Sequence, residues 1–350
     1  MSQFVRQLAL ASLLFVALPV NAFERAPELV LVQALPVDGM ERGNLSALQY
    51  CGSQLLALSD REDQTLFVLQ TIGASWQASA EHFELPKDSP SMLPVQLLAG
   101  AWLRGLSGRA LDFEGLACDA QANRYLVSES QLGVLKLPPA GEIAVEGQWL
   151  NLDPAVYSEG ESRGLWQQVN ALAEGVAIDA EAETLWLAAE RQGRGLLKLQ
   201  RQDDQWRCPL AGCVLLAERR FLPTDTFAPG VLNKEVLPAD FSDLVLWQGK
   251  LWTLERNAHQ VCRRSSVSGK RERCWSFAQT VLAEPYFYPD APFGLAEALL
   301  INEDGIMIGL DNNDRVRPDG DSRPWIFQFE LPSDWQEETK LTPRPPVNVG

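Results

Sequence analysis

The stretch Ala173-Glu174-Gly175-Val176-Ala177-Ile178-Asp179, followed by Leu185-Trp186-Leu187-Ala188-Ala189-Glu190-Arg191, is one of five copies of a single pattern. An acidic or hydroxyl residue precedes a short apolar run, and a second apolar run ends in another acid. The remaining copies begin at Asn44-Leu45-Ser46, Asp112-Phe113-Glu114, Asp240-Phe241-Ser242-Asp243 and Gly294-Leu295-Ala296-Glu297. Their register residues Ser46, Glu114, Glu174, Asp243 and Glu297 are spaced by 68, 60, 69 and 54 positions. Recurrence at such spacing marks a radial or solenoid array of one supersecondary unit.

Within each copy the two apolar runs alternate and are separated by turn signals, as at Gln248-Gly249-Lys250 and Asn302-Glu303-Asp304-Gly305. Period-2 alternation turns successive side chains to opposite faces, so each copy reads as a β-hairpin between stacked sheets. Further strand-like runs follow at 65–70, 134–137, 195–200 and 323–331. About four strands per copy is the stoichiometry of a propeller blade. No long amphipathic helix is read after residue 23. The expectation is an all-β chain folded as a β-propeller, with five blades favoured over six. The last copy shows only three strands, and the apolar segment 28–37 is expected to supply the missing outer one and remove an open sheet edge.

Residues 1–22 carry one Arg, a 13-residue apolar run from Leu8 to Val20, and a small-x-small ending at Val20-Asn21-Ala22. That composition predicts a secretory signal peptide cleaved after Ala22, since the run is too short to span a bilayer. The propeller is expected over 23–332, followed by a polar, Pro-rich surface tail at 333–350. A periplasmic or secreted location follows. It suits six cysteines, because disulfides persist in oxidising compartments. Cys208–Cys213 and Cys262–Cys274 each flank a turn, and Cys51 and Cys118 hold similar positions in neighbouring copies, which predicts two local bonds and one between blades. Metal binding is the competing reading, though no pair has Cys-x-x-Cys spacing. With 46 Asp and Glu against 30 Lys and Arg, the formal charge is −16. This balance and the lack of a basic block argue against nucleic acid as a partner. A small anionic or ester substrate fits better, and a protein partner stays open.

Innermost propeller strands crowd their ends around the axis, so Glu114, Glu174, Asp243 and Glu297 are expected to converge. Close carboxylates must take up protons or a cation. Calcium, with its oxygen ligands and loose geometry, is the expected cofactor, and Asn312 is a candidate neutral ligand beside the four acids. The alternative is that these acids cap turns through backbone N–H groups. A second set (Asp60, Glu129, Glu190, Glu255 and Asp311) returns to the same rim, where Arg191, Arg256, Glu190 and Asp311 are candidate ligand-binding residues. Glu255 and His259 are the candidate catalytic groups, His259 as a base. Most of the eleven Trp read as blade packing.

Glu114-Gly115-Leu116-Ala117, Glu174-Gly175-Val176-Ala177, Ser242-Asp243-Leu244 with Leu254-Glu255-Arg256, and Asp311-Asn312 resemble, in order, the motifs of the phytase-like family of secreted propellers. The resemblance covers roughly 110–313, and Ser46 departs from it. It implies a propeller with an axial calcium and esterase-like or phosphoesterase activity. The bland competitor is a non-catalytic propeller that binds a ligand or a protein, with calcium as a structural ion.

Overall fold

The computed structural model describes residues 26–40, 43–87, 111–141, 146–168, 171–191, 193–223, 236–291 and 293–337; the proposed leader and the tail beyond Glu337 lie outside them. In chain order, β1 (Leu31–Asp38) comes before a first unit of β2 (Ala47–Cys51), β3 (Gln54–Leu58), β4 (Thr65–Ile72) and β5 (Ser75–His82). The second unit is β6 (Phe113–Cys118), β7 (Arg124–Ser128), β8 (Gly133–Leu137) and β9 (Gln148–Trp149). The short β10 (Asn151–Leu152) and helix α1 (Pro154–Ser162) lead into a third unit. This comprises β11 (Ala173–Ile178), β12 (Thr184–Ala189), β13 (Arg194–Gln202), β14 (Gln205–Arg207) and β15 (Val214–Glu218). A ribbon of β16 (Phe221–Pro223) and β17 (Val236–Pro238) precedes the fourth unit. That unit is β18 (Asp243–Trp247), β19 (Lys250–Glu255), β20 (Gln260–Ser265) and β21 (Arg271–Ser276). After the single-turn helix α2 (Ala278–Val281) come β22 (Ala296–Asn302), β23 (Gly305–Leu310) and β24 (Trp325–Phe329).

The last three strands are completed from the other end of the chain. β1 lies antiparallel on β24, with Ala34 opposite Phe327, as the apolar segment at 28–37 anticipates. The end of β1 also runs parallel to β5, pairing Val37 with Trp76. One strand therefore ties the last unit to the first. The innermost strands follow the same circle: β2 neighbours β6, then β11, β18 and β22, and β22 returns to β2. Among the described residues the strands make five such units, arranged as a β-propeller.

Alternation explains how the units stack. On β12, Leu185, Leu187 and Ala189 enter a core shared with the second unit, whereas Trp186 and Ala188 enter one shared with the fourth. On β22 and β23, Leu299, Ile301, Ile306, Ile308 and Leu310 pack toward the fourth unit, while Ala298, Leu300 and Met307 pack toward the first. A further core joins the first and second units around Leu56, Leu58, Phe113 and Leu126. Each fully buried Leu or Phe side chain contributes about 1.5–3 kcal/mol, so every sheet is held from both faces.

Near the axis the pattern is interrupted in a regular way. The β6–β7 register shifts between Phe113 and Gly115, the β11–β12 register between Ala173 and Gly175, and the β22–β23 register between Ala296 and Ala298. The skipped residues are Glu114, Glu174 and Glu297. A bulge leaves its extra residue outside the ladder and re-aims the side chain. The small residue after each Glu has its own reason. A Cβ on Gly115 would stand 2.8 Å from the Glu174 carbonyl oxygen, and one on Gly175 would stand 2.6 Å from the Leu244 nitrogen. Only glycine lets successive inner strands approach this closely.

All three disulfides join the expected partners, Cys51–Cys118 between the first two units and Cys208–Cys213 and Cys262–Cys274 locally. The start of the tail is anchored on the fourth unit: Trp335 packs on Trp247 with ring centroids 4.5 Å apart, and Asp334 accepts from Trp275 Nε1 at 3.0 Å. No described helix is long and apolar enough to cross a membrane.

Gly175→Ala tests the close approach. The added methyl must push apart two backbones, and overpacking of that kind costs about 1–3 kcal/mol. A thermal melt of the variant is expected to show a clearly lowered midpoint; an unchanged midpoint would mean that the strands do not need this contact.

Candidate functional site

The bulged acids meet the ends of the neighbouring second strands at one rim. Ligand oxygens of Asp60, Asp112 and Glu114 lie within 4.8 Å of one another, and so do those of Glu129, Glu174 and Glu190. The second acid of one unit thus stands beside the first acid of the next. The two rim sets expected from the sequence are one interleaved set, and Glu129 belongs with Glu174 rather than apart from it.

A single guanidinium neutralises one side of this mouth. Arg256, in the 3₁₀ turn that follows β19, donates to Asp240 Oδ2 at 2.9 Å, to Glu297 and to Glu190, and lies 3.7 Å from Glu174 Oε1. Burial disfavours its charge, but Glu174, Glu297 and Asp240 outweigh that and raise its pKa further. Arg256 is therefore a clamp on four acids, more than a group poised for substrate. Arg191 pairs with Glu190 and keeps a quarter of its side chain exposed.

The carboxylates answer to their surroundings. Burial raises Glu114 well above the usual range, and Asp112, Asp60, Glu174 and Glu297 push it the same way. Burial also raises Glu297 and Glu174, against the opposing pull of Arg256. Asp240 and Asp311 are each pushed up to about 6, chiefly by burial. Burial is the common cause, and repulsion from neighbouring acids adds to it at Glu114, Glu297, Asp240 and Asp311. These carboxyls hold their protons to higher pH than ordinary surface acids do.

Several expected site residues are placed elsewhere. Asp243 is not bulged; it pairs in register with Leu254. Its two oxygens accept from the backbone N–H groups of Leu244 and Leu299, each at 2.7 Å. It fills the capping role and braces the fourth unit against the fifth. Glu255 is held between Arg194 at 2.8 Å and Arg264 at 2.6 Å. Burial opposes its charge, yet the two arginines bring its pKa down to about 2, too weak a base for catalysis near neutral pH. Both guanidiniums also stack on Phe241, at 4.4 and 4.8 Å. His259 is buried in the left-handed conformation (φ 50°), 5.8 Å from the Phe277 ring, beside a small cavity of roughly 30 Å³ that Tyr288 also lines. Burial lowers its pKa to about 4. Neither residue joins the axial mouth as an acid–base partner.

Asp311 accepts from Asn313 N at 2.8 Å, and Asn312 donates through Nδ2 to the carbonyls of Arg315 at 2.9 Å and Ser322 at 2.6 Å. The buried Asn312 Oδ1 has no hydrogen-bond partner. It faces Gly43, where a Cβ would come within 3.1 Å. The neighbouring Asn44 is fully buried with neither amide atom bonded. Sequence reasoning passed over Asp112, Asp240 and Asn44. The signal was present, because Asn44 and Asp112 both sit two positions before the register residue and both take positive φ, 59° and 55°. Asp and Asn tolerate that region best among non-glycine residues.

Two outcomes follow. Replacing Arg256 with Met removes the cation shared by Glu174, Glu190, Asp240 and Glu297 and leaves Arg191 to answer for Glu190 and Glu174, and breaking such buried pairs costs about 3–5 kcal/mol; a denaturant titration showing less than about 1 kcal/mol would contradict the clamp. The pH dependence has a definite sign. Acids whose folded pKa is raised bind more protons in the native state, so their contribution is fully present below the unfolded pKa of about 4 and is lost as pH rises through the folded value near 6. In chelator, the melting temperature is expected to be lower at pH 7.5 than at pH 5. A higher one would contradict the reading.

Comparison with known proteins gives a family and no single counterpart. The family model described as "Phytase-like: Esterase-like activity of phytase" matches residues 41–260. A search of curated proteins finds no significant match. Among solved structures, a PQQ-bound aldose sugar dehydrogenase from Streptomyces coelicolor is 12% identical, covering 87% of this chain and 100% of its own, with a TM-score of 0.44. A virginiamycin B lyase from Staphylococcus aureus is 9% identical, with 81% and 66% covered and a TM-score of 0.35. A candidate 6-phosphogluconolactonase from Bacteroides uniformis is 13% identical with a TM-score of 0.31; 66% of this chain is covered, and the chain spans about half, 53%, of that one. Likeness at this level carries no argument about chemistry. The matched 220 residues run from the first unit through β19 and hold Glu114, Glu174 and Arg256 with the motifs around them, and the chain belongs to the phytase-like family.

Proposed function

We propose that this chain is an exported, calcium-binding propeller hydrolase that cleaves a phosphoester or a carboxylic ester at the axial mouth. The observation that carries the reading is the position of Glu114. Among the described residues, the charges that act most on it are other acids, whereas Glu174 and Glu297 share Arg256. The side of the mouth formed by Asp60, Asp112 and Glu114, where Arg61 lies 4.0 Å from Asp60, is the side we assign to a cation.

The donor set fits a hard cation. Carboxylates cluster there, and Asn312 Oδ1 is a buried neutral oxygen without a hydrogen bond near Asn44. Calcium takes 6–8 such oxygens in adaptable geometry. Asp60, Asp112 and Glu114 would hold it, with Asn312 at the edge. Bound there, calcium would polarise a phosphoryl or carbonyl oxygen. Arg191, partly exposed on the opposite side, is suited to orient the anionic end of a substrate. Asp311, whose carboxyl burial pushes up to about 6, is a mouth acid able to exchange a proton near neutral pH. It takes the role that Glu255 and His259 are not placed to fill. Export is supported by the three disulfides and by the composition of residues 1–22.

A second reading, a non-catalytic propeller in which calcium is structural, is favoured by one observation: no nucleophile–base pair is found at the mouth among the described residues. The test separates the two. Purified protein is assayed on p-nitrophenyl acetate and p-nitrophenyl phosphate with and without chelator, alongside Glu114→Gln. The hydrolase reading expects turnover that falls by about 10²-fold or more in each case. Calcium-dependent stability without any turnover would leave the structural reading standing. Turnover indifferent to both chelator and substitution would overturn the metal-dependent site.

A further inference from the structure

The first and second units meet along a seam built differently from the others. Gly115 and Gly175 bring successive inner strands together at the next two seams, and Asp243 braces the fourth unit on the fifth. After Ser46 the corresponding residue is Ala47, so the first seam has no such glycine. Its rim is also crowded with acids. Asp60, Asp112 and Glu114 gather there, and Arg61 lies 4.0 Å from Asp60. Asp63 reaches across to accept from the backbone N–H groups of Leu111 and Asp112, at 3.2 and 3.3 Å. Of the three disulfides, Cys51–Cys118 is the one that joins two units, and it joins them at this seam.

The bond and the acids sit at opposite ends of the same two inner strands. β2 runs from Ala47 to Cys51, and β6 from Phe113 to Cys118. Asp60 is tied to the rim end of β2, where its backbone N–H donates to Ser46 Oγ at 3.0 Å. Glu114 bulges from the rim end of β6. In an extended strand it stands about 13 Å from Cys118. A covalent bond across one end of a strand pair limits how far the other end can spread. Repulsion among the acids acts to spread it. A cation that takes ligands from both strands draws the same ends together. Bond and cation therefore favour one arrangement of the seam.

We infer that the Cys51–Cys118 bond sets the affinity of the cation site at Asp60, Asp112 and Glu114, and that a bound cation in turn shields the bond from reduction. The inference rests on the cation reading above, which the unbonded Asn312 Oδ1 supports separately, and it needs no hydrolytic activity. Coupling between two sites is reciprocal, so each effect implies the other. Reduction by a dithiol breaks the S–S bond; two electrons and two protons give the Cys51 and Cys118 thiols, and the dithiol closes to its own disulfide. Gly52 is exposed beside Cys51 and Cys118 is partly exposed, so the bond is within reach of such a reagent. The consequence is that the site fills tightly only after the bond has formed.

The experiment uses the full chain. Calcium affinity is measured by calorimetry on oxidised wild type and on Cys51→Ala/Cys118→Ala. Loss of the bond is expected to weaken binding about fivefold or more. Cys262→Ala/Cys274→Ala, which removes a bond within the fourth unit, is expected to leave it unchanged. A second measurement needs no cysteine variant. Wild type is treated with dithiothreitol with and without calcium, and the freed thiols are alkylated and mapped by mass. Calcium is expected to slow reduction of Cys51–Cys118 by a similar factor and to leave Cys262–Cys274 unaffected; in Glu114→Gln the protection is expected to vanish. Equal affinity with and without the bond, or equal reduction rates with and without calcium, would overturn the coupling alone. No calcium binding by oxidised wild type would overturn it together with the cation reading.

Discussion

Among the described residues, acids outnumber arginines at the axis of this propeller, and the rest of the site follows from that crowding. Asp60, Asp112, Glu114, Glu129, Glu174, Glu190, Glu297 and Asp311 come from four different units and meet at one rim. Like charges at such separations repel strongly wherever water is partly excluded. Arg256 answers the problem on one side, where it binds three carboxylates and approaches a fourth. On the other side, the described charges that act most on Glu114 are acids. A propeller of this kind must hold protons there or attract a cation. The family's esterase-like description sits naturally on such a mouth.

The same local devices create the crowding and make it tolerable. A bulge releases Glu114, Glu174 and Glu297 from their ladders, and the small residue that follows allows neighbouring backbones to come together. Asp243 lacks both features and turns to the backbone of Leu244 and Leu299. Closure by β1 keeps the ring from opening under the repulsion at its centre, since the first and last units share that strand. Elsewhere, Glu255 and Glu218 with Arg194 and Arg264 repeat the theme with charges that balance, and there the Glu255 carboxylate stays ionised.

Much of this fold was legible in the sequence, because a blade is a local object. Alternating runs, turn residues and the spacing of Ser46, Glu114, Glu174, Asp243 and Glu297 are all short-range signals. The closing strand could be read from a deficit, three strands where four are needed, and the cysteine pairs from their positions. The site was less legible because it depends on which way each acid points. Glu-Gly at 114–115 and 174–175 marked the bulges, and Asp243-Leu244 marked their absence, but only the register shows what those neighbours mean. Burial was equally invisible. Glu255 and His259 look like rim residues by position, yet one is locked between two guanidiniums and the other lies against Phe277. Arg256 reads as a substrate anchor until the four acids around it are seen.

The central claim is that the axial acids are held partly protonated until a cation takes the protons' place. Calorimetric titration of chelator-treated protein with calcium near pH 6.5, repeated in two buffers of different ionisation enthalpy, measures binding and proton release together. Because metal binding requires deprotonated ligands, the account predicts saturable binding with net release of protons, reduced in Glu114→Gln. No binding, or binding that releases no protons and is unchanged by Glu114→Gln, would contradict it.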